Sequence, residues 1–341
     1  MLATLPPFKS EAIIKSFVKG YSIINGRYNN IMCSISGGSD SDIMLDIIHK
    51  IDVDKKVKYI WFNTGLEYQA TKDHLEYLEN KYNISIQRER AILPIPACVH
   101  KYGQPFLSKY VSEMIDRLQT ANFQWKDEPL EVLVERYPNS KMGLNWWTNN
   151  NKIAFQKRNE NENPNPSMFD INHNLYLKEF IMANPPTFKI SSKCCKYAKK
   201  DVSKMLVKKY DVDLMILGIR KAEGGIRSQA YKSCYSQNED TVDQYRPLFW
   251  FTEDDKREYE RAFNITHSKC YTEYGFRRTG CCCCPYGGKS LTHELKETKE
   301  HEPQLYKAVN SIFKDSYEYT KQYRMFVKEM KDKENGRMRL F

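Results

Sequence analysis

The chain has 341 residues, ten of them cysteine, and a formal net charge of +10. That length can bury a substantial core as one large or two modest domains, and the basic excess suits a polyanionic ligand such as a nucleotide or a nucleic acid. There is no run of about 18 apolar residues and no signal-peptide pattern, which argues against a membrane span and for a cytoplasmic protein, where ten cysteines point to metal or redox chemistry rather than a disulfide framework.

In chain order, Glu11 to Val18 reads as a helical lead-in ending near Gly20. Ile31 to Ile35 reads as a short buried strand. It runs into Ser36-Gly37-Gly38-Ser39-Asp40-Ser41, and residues 41–51 then place Ile43, Met44, Ile47, Ile48 and Ile51 on one helical face. The setting makes the hexapeptide a phosphate cradle. Glycines let the backbone turn tightly and approach an anion, and the helix start offers unpaired N–H groups and the positive end of its dipole. Serine hydroxyls add donors. No Gly-Lys-Ser/Thr ending follows, so a Walker loop does not fit.

A strand over Lys56–Phe62, a helix over Gln69–Tyr82 and a strand over Ser85–Arg90 continue the alternation of a parallel α/β sheet. Asn63-Thr64-Gly65-Leu66-Glu67-Tyr68 lies at a strand's carboxyl end, where open α/β sheets bind ligands. Residues 100–150 are mostly helical by pattern and contain Trp125, Trp146 and Trp147, the last two suited to a core or a partner surface. The Asn-rich stretch 149–167 reads as an exposed loop. The α/β pattern returns with a basic helix over Lys193–Lys209 and a buried strand at Asp213–Gly218. Twelve Lys/Arg against four Asp/Glu make residues 187–232 the most basic stretch. Thr252 and Asp255 form a capping pair for a helix, and the last 40 residues read as charged amphipathic helices.

Two cysteine groups stand out, Cys194-Cys195 and Cys281-Cys282-Cys283-Cys284. Cys281 and Cys284 form a C-x-x-C, which lets two thiolates reach one centre. Four thiolates suit zinc or an iron–sulfur cluster, and the adjacent pair tilts the choice toward iron–sulfur. Cys33 reads as core, and Cys98 and Cys270 have no partner pattern. Cys234 follows the basic Arg227–Lys232 stretch, which makes it the most interesting of the remaining cysteines as a candidate nucleophile.

The hexapeptide matches the SGGxDS signature of the PP-loop superfamily. With Asn63–Tyr68, Cys194-Cys195, Gly218–Arg227, Arg246–Trp250 followed by Asp254-Asp255, and Arg278-Thr279-Gly280-Cys281-x-x-Cys284, taken in order, the chain resembles the phosphoadenosine phosphosulfate (PAPS) reductase family over roughly residues 30–95 and 187–310. Its later stretch, through Leu295–Thr298 and Leu305-Tyr306, looks like the PAPS-reductase-like proteins common in phages and mobile elements. The resemblance implies a three-layer α/β/α fold with a mainly parallel sheet, adenine nucleotide alpha-hydrolase-like, plus a helical insert and a helical C-terminal extension. The expected parts are 1–95 and 187–290 as the two halves of the nucleotide-binding domain, 96–186 as the insert and 291–341 as the extension.

It further implies a [4Fe–4S] cluster on Cys194, Cys195, Cys281 and Cys284. ATP or an adenylyl sulfate is expected on Ser36, Gly37, Gly38, Ser39, Asp40, Ser41, Asn63, Thr64, Gly65, Glu67, Gly218 and Arg220. Arg220 and Arg227 are expected on its phosphate or sulfate end, a role suited to guanidinium. Mg²⁺ is expected nearby, with Asp40 as the candidate contact. The family's sulfonucleotide reductases attack sulfate with a cysteine in a C-terminal Glu-Cys-Gly tail, and no cysteine follows Cys284 here. The expectation therefore moves to an adenylating PP-loop enzyme that serves sulfur transfer, with DNA or tRNA as a reasonable substrate and a sulfur donor or partner protein beside it. Sulfonucleotide reduction by Cys234, and a non-catalytic nucleotide- or nucleic-acid-binding component of a phage or defence complex, stand as alternatives.

Overall fold

The computed structural model describes residues 6–150, 167–224, 230–237 and 241–338. The expected Asn-rich loop falls mostly outside them, as does Arg227. The chain divides into two compact units. The first comprises residues 1–95, 197–282 and 300–302, the second 96–196, 283–299 and 303–341.

The first unit is built on six strands: β1 (Ile31–Ile35), β2 (Val57–Asn63), β3 (Ile86–Arg90), β4 (Leu214–Leu217), β5 (Tyr235–Ser236) and β6 (Asp243–Tyr245). Their order is β3-β2-β1-β4-β6-β5, parallel throughout except for the antiparallel β5–β6 edge. The chain moves outward from β1 through β2 to β3, then returns to β4 on the other side of β1. Strand order therefore reverses between β1 and β4, the switch point at which such sheets open a crevice.

Alternation along β1 sends Ile31, Cys33 and Ile35 into one buried cluster and Met32 into another. The first cluster is covered by α1 (Glu11–Ile24), α2 (Ser39–Ile51) and α3 (Gln69–Tyr82), the second by Val202 and Leu206 of the helix Asp201–Lys209. Helices on both faces explain why the central strands read as continuous apolar runs. Helix α1 continues through Gly20 to Ile24, past the end expected from the glycine. A Cβ at Gly20 would stand 2.6 Å from Ile51 Cδ1, so this glycine allows close packing and does not end the helix. Phe17 is fully buried on the same face, a burial that contributes about 1.5–3 kcal/mol. The N-terminus of α3 has no side-chain cap of its own. Glu302 supplies one, accepting from Gln69 N at 2.9 Å and Ala70 N at 3.3 Å.

The second unit is helical. Segments Lys109–Thr120, Leu130–Arg136, Lys141–Trp147, Leu177–Ala183 and Lys314–Met338 surround a core that contains Phe106, Trp146, Trp147, Phe180, Tyr319 and Tyr323. Both tryptophans are fully buried, so they belong to the core; Trp147 Nε1 donates to Lys126 O at 2.9 Å. The expected helix from Lys193 is present, but Lys196–Lys200 winds as a π-helix directly after the cysteine pair. Such segments are rare and concentrate at functional sites. No helix among the described residues is long and apolar enough to cross a membrane.

Candidate nucleotide site and cysteine groups

The loop after β1 turns at Gly37, whose φ of +69° suits glycine and whose added Cβ would lie 2.8 Å from Thr71 Cγ2. Gly38 caps α2 without a side chain. Ser41 Oγ accepts from Ser36 N at 3.0 Å, and Ser36 Oγ accepts from Gly38 N at 3.3 Å. A Cβ on Gly38 would press within 3.1 Å of both Thr279 Oγ1 and Tyr271 Oη. The loop is therefore a glycine-turned backbone cradle at the amino end of a 13-residue helix, an arrangement suited to phosphate.

Two cations converge on its rim. Arg220, just past β4 and Gly218, is 6% exposed, and its Nε stands 3.0 Å from Asp40 Oδ2. Its Nη2 donates to Glu253 Oε1 at 2.7 Å, while Nη1 is buried with no hydrogen-bond partner among the described residues. Lys256 Nζ lies 2.7 Å from Asp40 Oδ1 and donates to Ser39 Oγ at 2.9 Å. Burial pushes the Asp40 carboxyl upward, but Lys256 and Arg220 outweigh it and hold it below the usual carboxylate range. Burial opposes the charge on Arg220 as well, and Asp40 and Glu253 more than restore it. Both Asp40 oxygens are thus engaged by cations, which leaves this carboxylate poorly placed for Mg²⁺ as it stands.

The loop after β2 is organised by Glu67. Its carboxylate accepts from Thr64 N at 2.9 Å, from Leu66 N at 3.0 Å and from the Thr64 hydroxyl, while Asn63 Oδ1 accepts from Gly65 N at 3.0 Å. Asn63, Thr64, Gly65 and Glu67 therefore hold one another in shape at the carboxyl end of β2. The loop also fixes the start of the second cysteine group. Leu66 O accepts from Cys282 N at 2.8 Å, and Thr64 Oγ1 is 3.7 Å from Cys281 Sγ.

Cys194, Cys195 and Cys284 belong to the second unit. All three act electrostatically on Tyr286, whose hydroxyl burial drives well above the ordinary phenol range, with Cys194, Cys195 and Cys284 adding to the effect. Burial also pushes the Cys98 thiol up to about 11, with Cys195 adding to the rise and Lys193 and Lys101 opposing it. The donor set is one that suits iron–sulfur or zinc. Among the described residues, however, no three His, Cys, Asp or Glu side chains close into a metal-holding group. Cys282 and Cys283 are buried, with Cys283 Sγ 3.2 Å from Thr298 Oγ1. Cys33 is buried in β1, in the place its sequence setting predicts. Cys234 precedes β5, and its carbonyl accepts from Arg246 N at 2.7 Å, so it sits at the carboxyl edge of β6. Arg246 is fully buried, its guanidinium 3.8 Å from the Tyr231 ring centroid.

Sequence reasoning missed Lys256 and the acids beneath the loop. Lys256 hides in a strongly charged helix, and its only signal is the shared face with Tyr259. Asp42 and Asp46 look like solvated helix acids but are buried. Asp42 meets His267 Nδ1 at 2.7 Å and His74 Nε2 at 3.0 Å; Asp46 accepts from Tyr82 at 2.9 Å and Tyr259 at 2.5 Å. Burial lowers the His267 imidazole, but hydrogen bonds to Asp42 and Glu260 outweigh it and raise its pKa to about 9.

A two-faced, mainly parallel sheet with a glycine–serine loop at its switch point is the frame of a nucleotide-binding α/β protein. Within that class, the phosphoadenosine phosphosulfate reductase domain model matches residues 30–137 and 146–286, and the chain belongs to that family. No curated protein sequence matches it. Among solved structures, the chain is similar to a PAPS reductase from Candida auris in its phosphate complex, with 11% identity, a TM-score of 0.40, and coverage of 81% of this chain and 97% of that one. The U34-tRNA thiolase NcsA from Methanococcus maripaludis, with its [4Fe-4S] cluster, gives 13% identity, a TM-score of 0.37 and coverage of 94% and 82%. The NH3-dependent NAD synthetase from Campylobacter jejuni, in complex with nitrate, gives 11%, 0.36, 91% and 95%.

Proposed function

We propose that the chain is an enzyme of this family that binds ATP on Ser36–Ser41 and activates an acceptor by adenylation for sulfur transfer or another nucleic-acid modification. The observation that carries this reading is Arg220, a buried guanidinium fixed by Asp40 and Glu253 with Nη1 unspent, beside the glycine-capped N-terminus of α2. A buried cation with a spare donor at that spot calls for an anion. In the proposed step an acceptor oxygen attacks the α-phosphorus. A new P–O bond forms as the bond to the pyrophosphate oxygen breaks, and pyrophosphate carries away the charge. Loop N–H groups, Arg220 and Lys256 stabilise the developing negative charge, and a sulfur nucleophile then displaces AMP from the acceptor.

Cys194, Cys195, Cys281 and Cys284 would hold the [4Fe–4S] cluster, which supplies a site for the acceptor sulfur. Arg227 is proposed as a second anion contact. Mg²⁺ enters only as the counter-ion of the nucleotide, since Asp40 serves Arg220 and Lys256. Asp40 is then a positioning residue.

A second reading, sulfonucleotide reduction, is favoured by Cys234 lying against the buried Arg246 at the sheet's carboxyl edge. Its thiolate would attack the sulfur of an adenylyl sulfate, forming an S-sulfonate and releasing AMP, and an external thiol would then reduce the S-sulfonate to release sulfite. Product analysis separates the readings. With ATP and total cellular RNA or DNA, AMP and pyrophosphate support adenylation. Sulfite from adenylyl sulfate or PAPS supports the second reading. Tight binding with no turnover of either nucleotide would leave a binding platform.

A further inference from the structure

The second unit contains a cavity of about 710 Å³ that the proposed chemistry leaves unused. Its walls carry three half-buried rings, Tyr102, Trp125 and Phe188, and three lysines, Lys101, Lys189 and Lys193. We infer that this cavity binds a single-stranded segment of nucleic acid, stacking a base on its aromatic wall and holding the flanking phosphates on its lysines.

The geometry is that of a preformed pocket. Gln119 braces one wall, donating to Phe188 O at 2.8 Å and accepting from Ile190 N at 2.9 Å. Gln104 pins the same segment through Lys189 O at 2.8 Å and Ser191 N at 2.9 Å. Gly103, with φ +110°, is required there, because a Cβ would lie 2.2 Å from Lys189 O. Trp125 adopts a φ of +54°, uncommon for a bulky residue, and is held edge-on against Phe123 and Trp147 at 5.5 and 5.6 Å. Strain of this kind persists where the surroundings fix it, and it gathers at ligand clamps.

The charge favours a polyanion. Among the described residues Asp116 is the only acid on the cavity wall, and Lys193 at 3.2 Å and Ser191 Oγ at 3.4 Å already engage it. Lys101 and Lys189 have no ion-pair partner among the described residues and are exposed. The ammonium groups of Lys101 and Lys193 stand 5.2 and 5.1 Å from the Tyr102 ring centroid, which places positive charge against a stacking surface. A ring that stacks any base beside cations that track the backbone is how single strands are held without sequence readout. The volume lies within the range of ligand pockets and admits a nucleotide with part of its neighbour. Lys193 directly precedes Cys194, so the bound strand would lie beside the cysteine pair. Only the use made of the strand, as acceptor, rests on the proposed function; affinity is measured without turnover.

The test is fluorescence anisotropy of the full chain, without ATP, against a labelled single strand of about twelve nucleotides, as RNA and as DNA, over a range of salt. The wild-type chain should bind either strand and prefer it to a duplex of the same sequence. The K101E/K189E variant should weaken binding at least about tenfold and flatten the log–log salt slope by roughly one to two. The matched charge change K328E/K331E, on the exposed C-terminal helix, should do neither. Trp125→Leu should weaken binding about 5- to 100-fold and leave the salt slope unchanged. If that variant fails to fold, the lysine pair decides alone. Absent single-strand binding, equal loss in both lysine pairs, or binding of UMP alone with the same sensitivity would overturn the inference.

Discussion

Replacing Arg220 by methionine tests the nucleotide cradle, because its effects on folding and on binding can be separated. The guanidinium is buried, 3.0 Å from Asp40 and 2.7 Å from Glu253. Removing it leaves Asp40 with Lys256 as its remaining close cation, at 2.7 Å. Loss of one partner of a fully buried pair costs about 3–5 kcal/mol, and the surviving Lys256 contact should reduce this to about 1–3 kcal/mol. The nucleotide loses a charge-assisted hydrogen bond from Nη1, about 1.5–3 kcal/mol, or roughly 10- to 150-fold in affinity. The R220M/D40N double variant removes the stranded carboxylate as well. Thermal unfolding should show most of the lost stability recovered, while calorimetry with ATP should show affinity still reduced. Affinity that is unchanged in R220M, or that returns with stability in the double variant, would refute Arg220 as an anion donor and leave it a structural partner of Asp40.

Gly37→Ala should destabilise the first unit by about 1–3 kcal/mol in urea unfolding and abolish ATP binding, because φ is +69° and the new Cβ would meet Thr71. His267, raised from 6.5 to about 9, contributes stability that is fully present below pH 6.5 and lost as pH rises through 9. The wild-type unfolding free energy should fall over that window, and His267→Gln, which should lower stability by about 1–3 kcal/mol near neutral pH, should flatten the fall. Anaerobic purification should yield about four iron and four acid-labile sulfide per chain with broad absorption in the visible, and Cys194→Ser or Cys284→Ser should lose most of both. Zinc, or no metal in a folded chain, would remove the cluster from the proposal.

Much of this fold was legible because local signals agreed with tertiary demands. The apolar runs at β1 and β4, the helix over Gln69–Tyr82 and the Thr252–Asp255 cap all appear where pattern and capping chemistry place them. Gly20 misled because a glycine that packs against Ile51 looks, in sequence, like one that ends a helix. The turn from β1 into α2 was readable from its glycines. Of its cationic rim Arg220 was readable from its place after the strand and glycine, but Lys256 was not, because it lies 216 residues after Asp40 in a helix whose charges read as a solvated face. Asp42, Asp46 and His267 were hidden for the same reason: long-range pairing turns charged residues that read as surface into buried hydrogen-bonding groups. The π-helical turn at Lys196–Lys200 has no periodicity signal at all.

The most direct test is a crystal structure of the chain with a non-hydrolysable ATP analogue. The account predicts phosphate oxygens within hydrogen-bond distance of the backbone N–H groups at Gly38–Asp40 and of Arg220 Nη1, with Asp40 still paired to Arg220. A nucleotide bound away from this loop, or one whose phosphates leave Arg220 Nη1 without a partner, would contradict it.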